Sequence, residues 1–222
     1  NGILGISVAD ILRLVFHDAA SYNPETGEGG FNGSVRFPEE LSRPENAGLA
    51  PVVDKLLGLQ KRIQRDTGAN VSFADVEAIT AQAILQQASK ALLCSKSVEG
   101  SCDVVYKAYG NKPKPLDIGR ADAPGPDPAG QIPWAGNSVG YFTAAGRKLG
   151  LKPRELVSLA PALLLDEEEA LAVLSRDGQY TDITTDLEKS KRTRTRATYE
   201  VEQFAALQKL VNFARFDPKA YA

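Results

Sequence analysis

The chain has 222 residues, of which 43% are hydrophobic and 24% charged, and its formal net charge is −2. This length can build one large domain or two lobes around a substantial core, and the near-neutral charge gives no general case for nucleic acid or an anionic membrane as partner. The longest apolar stretch, residues 159–165, is far shorter than the roughly 20 residues that span a bilayer. The composition therefore predicts a soluble globular protein. Because the chain begins at Asn1 and contains no methionine, we expect it to derive from a longer translation product, and its opening does not read as a signal peptide.

Apolar residues recur at helical spacing in the first part of the chain. Five aliphatic residues mark a first amphipathic helix that ends near residue 20: Ile3, Ile6, Ile11, Leu14 and Val15. A loop dense in glycine, proline, asparagine and serine follows, and then a second helix over about 47–66. A third helix is predicted over 73–93, with Ser72 as its N-cap and Asp75 as an acidic first-turn residue.

The rest of the chain reads as helix interrupted by one long irregular segment. Residues 94–135 are predicted to be mostly irregular, because their second half is rich in proline and glycine. Helical spacing resumes around 138–149, and Pro153 suits the first turn of the next helix. Asp166 is predicted to cap a further helix, and a last helix covers about 198–213. No alternating strand pattern occurs, so the sequence predicts an all-α fold.

Two cysteines, Cys94 and Cys102, flank a polar loop eight residues apart. Such a pair closes a small disulfide ring in an oxidising compartment, or it remains as two unrelated thiols, and the residues alone leave both readings open. A structural zinc site is disfavoured, because it requires four ligands and the chain has one histidine.

That histidine, His17, lies four residues after Arg13, so both side chains share one helix face. The surrounding segments, LRLVFHDAASYN and GGFNGSVRFPEELSRPENAGL, resemble the distal half of class I haem peroxidases, the ascorbate peroxidase group. VSFADVEAI, GRADAPGPDPAGQIP and GLKPRELVSLA match further segments in family order. The resemblance implies a haem-peroxidase-like helical fold, with a distal-type lobe over residues 1–135 and a shortened proximal-type lobe over residues 136–222.

Carried over by this resemblance, Arg13 and His17 match the family's distal arginine and histidine. Phe16 stands in place of the distal tryptophan, and Asn46 matches the asparagine that orients the histidine. Cleavage of hydrogen peroxide needs a base that moves a proton and a cation where negative charge develops. Leu163, however, falls where the family keeps the histidine that ligates haem iron, and leucine cannot ligate iron. We therefore expect a vestigial distal pocket, no catalytic residues and no haem.

Two other functions stay open on the sequence. One is a haem peroxidase that reduces hydrogen peroxide in oxidative stress, with the iron held unusually by cysteine, tyrosine or His17. The other is a small-molecule binder that uses the vacated haem cleft. The shortened proximal lobe favours neither, because it resembles a haem-free branch of the family found in the thylakoid lumen of plants and algae.

Resemblance to that branch implies a pseudoperoxidase in the chloroplast, peripheral to the thylakoid membrane and associated with a photosystem-type complex. An oxidising lumen would also favour a bridge between Cys94 and Cys102. A basic run is read either as a solvated charged face or as a docking surface for an acidic partner: Lys189, Lys191, Arg192, Arg194 and Arg196. Nucleic-acid binding is disfavoured because no aromatic residues interleave the run.

Two further polar groups are interpreted as structural. Arg120 and Asp122 are predicted to form an ion pair that anchors the proline-rich loop. Asp18 is expected to make a polar contact at the end of the first helix.

Overall fold

The computed structural model describes residues 3–95, 97–110, 112–132, 134, 139–159 and 198–217. These ranges contain eight α-helices: α1 Val8–Ala20, α2 Pro38–Leu41, α3 Ala50–Thr67, α4 Phe73–Ser95, α5 Cys102–Tyr109, α6 Val139–Lys148, α7 Pro153–Leu159 and α8 Thr198–Leu210. They contain no β-strand, and one isolated antiparallel bridge joins Arg120 to Phe216. The predicted all-α fold class is confirmed.

Helix α1 begins later than the apolar spacing predicted. Ile3–Gly5 forms a separate 3-10 turn, in which Leu4 has a φ of 58° and so cannot continue an α-helix. Ser7 then caps α1, because its hydroxyl oxygen accepts a hydrogen bond from the backbone N–H of Asp10 at 3.1 Å. The aliphatic residues before Ser7 therefore pack against the core from a turn instead of from the helix.

One other predicted helix boundary was wrong. The second predicted helix begins at Ala50 and not at residue 47, because Pro44–Asn46 forms a 3-10 turn and Gly48 has a left-handed φ of 84°. The described part of segment 94–135 is mostly irregular, as predicted, but it also contains α5, which was not predicted and which packs on α4. Cys94 lies in the last turn of α4. An eight-residue helix of this kind depends on its neighbour more than on its own sequence.

Helix α1 lies at the centre of the core. It contacts α3, α4, α6 and α8, and it buries nine residues: Ile11, Leu12, Leu14, Val15, Phe16, His17, Asp18, Ala19 and Ala20. One hydrophobic cluster combines α1 with residues far along the chain, such as Phe142 and Leu207. Two polar side chains, those of His17 and Asp18, are thus held inside an otherwise apolar centre.

Arg120 anchors the proline-rich loop, but with a different partner from the predicted Asp122. Its Nη1 lies 2.8 Å from Oδ1 of Asp75 on α4, and both side chains are fully buried. Asp122 instead accepts hydrogen bonds from the backbone N–H groups of Phe73 and Ala74, at 2.8 and 3.0 Å. The first turn of a helix leaves such N–H groups unsatisfied and attracts a carboxylate, and this outweighs closeness in sequence.

The last described segment, residues 198–217, contacts both α7 and the glycine-rich loop. Helices α7 and α8 are joined by a hydrogen bond from Nε2 of Gln203 to the backbone oxygen of Ser158, at 2.8 Å, and by a 2.6 Å ion pair between Lys209 and Glu155. Beyond α8, the carbonyl of Phe213 accepts the N–H of the glycine-rich loop at Phe31, at 2.7 Å. Among the described helices, none has both the length and the apolar character needed to cross a membrane.

Candidate functional site

His17 lies in the last turn of α1, and its ring nitrogens are both engaged. Nδ1 is 3.0 Å from Oδ1 of Asn46, and Nδ2 of Asn46 donates to the backbone oxygen of Glu40 at 2.9 Å. The second bond turns the amide oxygen towards the imidazole, so Nδ1 of His17 carries the proton and donates it to Asn46. Asn46 is the residue that the family resemblance assigned to orienting the histidine.

The other nitrogen, Nε2, faces a residue that the sequence did not single out. The hydroxyl of Tyr141 on α6 lies 3.2 Å away, and because Nε2 carries no proton in this tautomer, the hydroxyl donates to it. Trp134 covers this contact, with its ring centroid 4.9 Å from that of Tyr141 and 6.2 Å from that of His17. A tyrosine in an amphipathic helix reads as an ordinary core residue, so no signal in a single sequence would have identified it.

Burial keeps both partners neutral. It lowers the pKa of His17 to about 4; the charge of Arg13 acts in the same direction, while the hydrogen bond to Asn46 opposes it. Burial also raises the pKa of Tyr141 to about 12. At neutral pH the pair is therefore an uncharged hydroxyl and an uncharged imidazole.

Arg13 lies one turn before His17 and is half-buried. Its Nη2 donates to the backbone oxygen of Glu45 at 3.2 Å. Among the described residues, no carboxylate forms an ion pair with it, so most of its guanidinium donors serve no protein acceptor there. Phe16, the residue in place of the family's tryptophan, is fully buried on the core side, where it packs against Phe142 at 5.5 Å.

Asp18 has a structural task. Its carboxylate accepts the backbone N–H groups of Asn32 and Gly33, both at 2.9 Å. Burial raises the pKa of this carboxyl group, and the hydrogen bonds from the backbone partly offset that effect. Asp18 therefore holds the glycine-rich loop against α1.

A haem-dependent peroxide site would make two demands on these residues. Such a site needs an axial ligand for iron and a distal nitrogen that can reach peroxide. His17 is the single histidine of the chain, and its Nε2 is hydrogen-bonded to Tyr141. Leu163 lies outside the described residues, as does the basic run: Lys189, Lys191, Arg192, Arg194 and Arg196.

A disulfide joins Cys94 to Cys102, with 4.7 Å between their Cα atoms. It ties the last turn of α4 to the first residue of α5. A 2.8 Å ion pair between Lys90 and Asp103 makes a second link between the same helices.

Comparison with known proteins places these features in a family. The peroxidase family model matches residues 5–222. The chain is 34% identical over 212 residues to the "Thylakoid lumenal 29 kDa protein, chloroplastic" of Solanum lycopersicum. That alignment covers 91% of this chain and 61% of the relative. It is also 29% identical over 150 residues to "L-ascorbate peroxidase 5, peroxisomal" of Arabidopsis thaliana. That alignment covers 68% of this chain and 44% of the relative.

A solved structure gives the same result. The crystal structure of the TL29 protein from Arabidopsis thaliana superposes with a TM-score of 0.82 at 29% identity, over 97% of this chain and 89% of that one. Of the two full-length relatives named above, the chain spans less than two thirds of the length. The match to the family model and the superposition of the helices lead to the same assignment. The chain belongs to the peroxidase family.

Proposed function

We propose that this protein is a pseudoperoxidase, a peroxidase-family scaffold that works without haem as an accessory subunit of a photosynthetic complex. The observation that carries the proposal is the hydrogen bond between the Tyr141 hydroxyl and Nε2 of His17. That bond engages the nitrogen on which peroxide cleavage would depend, and the chain has no second histidine to ligate iron.

The proposed location is the chloroplast thylakoid lumen, at the membrane surface. The tomato relative is named as a thylakoid lumenal protein, and identity to it extends over most of this chain. The disulfide between Cys94 and Cys102 supports an oxidising compartment, because such bonds persist where thiols are not kept reduced.

The proposed partner is a photosystem-type complex, bound through charge. The basic run 188–196 offers five cations within nine residues, which suits an acidic protein surface. The affinity of such a contact should fall as salt rises, because exposed charges are screened within about 10 Å at 0.1 M ionic strength.

Reconstitution with haemin tests the haem-free state. The purified protein is mixed with haemin, desalted and examined by visible spectroscopy, and its peroxide turnover is then measured. We expect no stoichiometric Soret band and no turnover. A stoichiometric band with turnover would overturn the proposal in favour of a haem peroxidase with unusual ligation.

Two variants test the part played by Tyr141. Leu163→His returns an imidazole to the position of the family's iron ligand, and we expect it to remain without peroxide turnover while Tyr141 holds Nε2. Adding Tyr141→Ala should free that nitrogen and allow turnover if haem enters. Turnover by Leu163→His alone would refute the blocking role of Tyr141.

Recovery of partners from solubilised thylakoids tests the docking role. The five cations of the basic run are replaced by glutamine, and the matched control replaces three exposed basic residues of α3: Lys61, Arg62 and Arg65. We expect photosystem subunits to be enriched by the wild type and the control, and lost with the altered run. Equal recovery by both variants would remove the docking role, and no enrichment by any of them would overturn the photosystem association.

A further inference from the structure

Glu77 is a fully buried carboxyl group in the second turn of α4. Among the residues that the structure describes, neither of its two carboxyl oxygens has a hydrogen-bond partner. An ionised carboxylate without partners is very costly in the interior of a protein, so a group in such a place takes up a proton instead. Its burial and its lack of partners therefore favour the neutral, protonated acid.

The carboxylate of Asp122 lies at the first turn of the same helix. It accepts the backbone N–H groups of Phe73 and Ala74, at 2.8 and 3.0 Å. A helical side chain leans towards the N-terminus of its helix, so that of Glu77, four residues after Phe73, extends towards this turn. The negative charge of Asp122 accordingly opposes the ionisation of Glu77.

The carboxylate of Asp18 reaches the same turn from α1. It accepts the backbone N–H of Gly33 at 2.9 Å, and Gly33 packs so closely on α4 that an added Cβ would lie 2.8 Å from Cδ1 of Phe73. The charge of Asp18 also opposes the ionisation of Glu77. Asp18 has backbone N–H donors that stabilise a carboxylate, whereas Glu77 has none among the described residues. Asp18 therefore keeps the charge, and Glu77 keeps the proton.

Two arginines offset this repulsion only in part. Burial raises the pKa of Glu77 well above its usual range, the two aspartates act in the same direction, and Arg120 and Arg36 oppose them. Nη1 of Arg120 lies 2.8 Å from Oδ1 of Asp75, so its charge is shared with another carboxylate. Arg36 donates to two backbone oxygens of the adjoining loops. Neither guanidinium forms an ion pair with Glu77 among the described residues.

The other helices that pack on α4 bring little charge to this place. Every charged side chain of α3 and of α5 is exposed. On α8, Lys209 is paired with Glu155 of α7, and Glu202 is half-buried. The balance at Glu77 is therefore set mainly by α1 and by the two loops.

We propose that Glu77 works as a proton-operated latch on two loops. While it is protonated, the glycine-rich loop held by Asp18 and the proline-rich loop held by Asp122 both close on the first turn of α4. As the pH rises, the proton leaves to solvent, a further negative charge appears between the two aspartates, and the loops loosen. No bond between heavy atoms changes. The latch depends neither on the partner nor on the haem-free state put forward above.

Infrared spectroscopy tests the protonation of Glu77. At pH 7 ordinary aspartate and glutamate side chains are ionised. The folded wild type should nevertheless show the C=O stretch of a protonated carboxyl group that Glu77→Gln lacks. Equal absorption by the two folded proteins would overturn the proposal, because the proton would then not be on Glu77.

Hydrogen exchange, followed by NMR, tests the latch itself. The amides of Asn32 and Gly33 report on the contact made by Asp18, and those of Phe73 and Ala74 on the contact made by Asp122. Wild type and Glu77→Gln are compared at each pH, so the chemical dependence of exchange on pH cancels. We expect equal rates near pH 5 and a wild-type rate that then gains up to about tenfold on the variant for each pH unit, up to about pH 9. Equal rates throughout would overturn the latch.

Two further variants complete the test. Glu99→Gln is the matched control, because it changes an exposed glutamate, and it should exchange like the wild type at every pH. Glu77→Leu removes the acid without placing a new polar group in the core, and it should lose the excess exchange at high pH. Excess exchange that persists in Glu77→Leu would overturn the proposal even if Glu77→Gln does not fold.

Discussion

Acid should destabilise this protein through His17, by an amount that the structure allows us to estimate. An exposed histidine titrates near pH 6.5, whereas burial lowers the pKa of His17 to about 4 in the folded state. The unfolded chain therefore binds the proton more tightly, so the contribution of the neutral ring is fully present above pH 6.5 and is lost as the pH falls through 4. By pH 4 the free energy of unfolding should have dropped by roughly 3 kcal/mol on this account.

Comparison with His17→Gln isolates that term. Both proteins are unfolded in urea at a series of pH values from 7 to 4, in chloride and without carboxylate buffers, and Trp134 reports unfolding because it is the single tryptophan and contacts the His17 ring edge-on. Acidic groups contribute to both proteins and cancel in the difference. On acidification from pH 7 to 4, we expect the free energy of unfolding of the wild type to fall by roughly 3 kcal/mol relative to that of His17→Gln. A gap that stays constant from pH 7 to 4 would refute the assignment of a buried, neutral imidazole.

Three further changes are measured by the same urea unfolding. Replacing Cys94 and Cys102 with serine should lower stability by about 2 kcal/mol, because the bond closes a loop with a sequence separation of 8; no loss would show that the bond does not constrain the unfolded chain. Arg120→Met should lower the free energy of unfolding by about 4 kcal/mol, because it leaves the buried charge of Asp75 without its partner. Adding Asp75→Asn removes that charge and should restore part of the stability. If the double variant is no more stable than Arg120→Met, the loss does not come from the unpaired charge. Asp18→Ala should cost about 3 kcal/mol by leaving loop N–H groups without an acceptor, and Asp18→Asn, which keeps one acceptor, less; equal losses would point to packing instead.

The sequence predicted the helices best where local spacing alone decides. Helix α4 begins at Phe73, as predicted, because Ser72 and the apolar period act locally. Arg120 was paired wrongly, since its partner Asp75 is 45 positions away and is brought near only by the packing of the proline-rich loop on α4. Short-range patterns carry no information about which of two nearby carboxylates a buried arginine meets.

The candidate site divides in the same way. Arg13 and His17 are adjacent on one helix, so their shared face follows from residue spacing. The contact between His17 and Tyr141 spans 124 positions and depends on how α6 docks against α1. That contact decides whether Nε2 of His17 is available to a ligand, and neither residue's type or spacing predicts the contact.

The direct bonds between α7 and α8 bear on how the family's architecture can change over evolution. Gln203 on α8 holds Ser158 on α7, and Lys209 on α8 holds Glu155 on α7, so the two helices are joined directly to each other. As a general rule, the free energy needed to close a flexible loop between two held ends rises by only about 0.6 kcal/mol for each doubling of its length. A change in the length of the chain between α7 and α8 need not remove these contacts, which is one route by which a peroxidase scaffold could lose sequence while its folded centre persists.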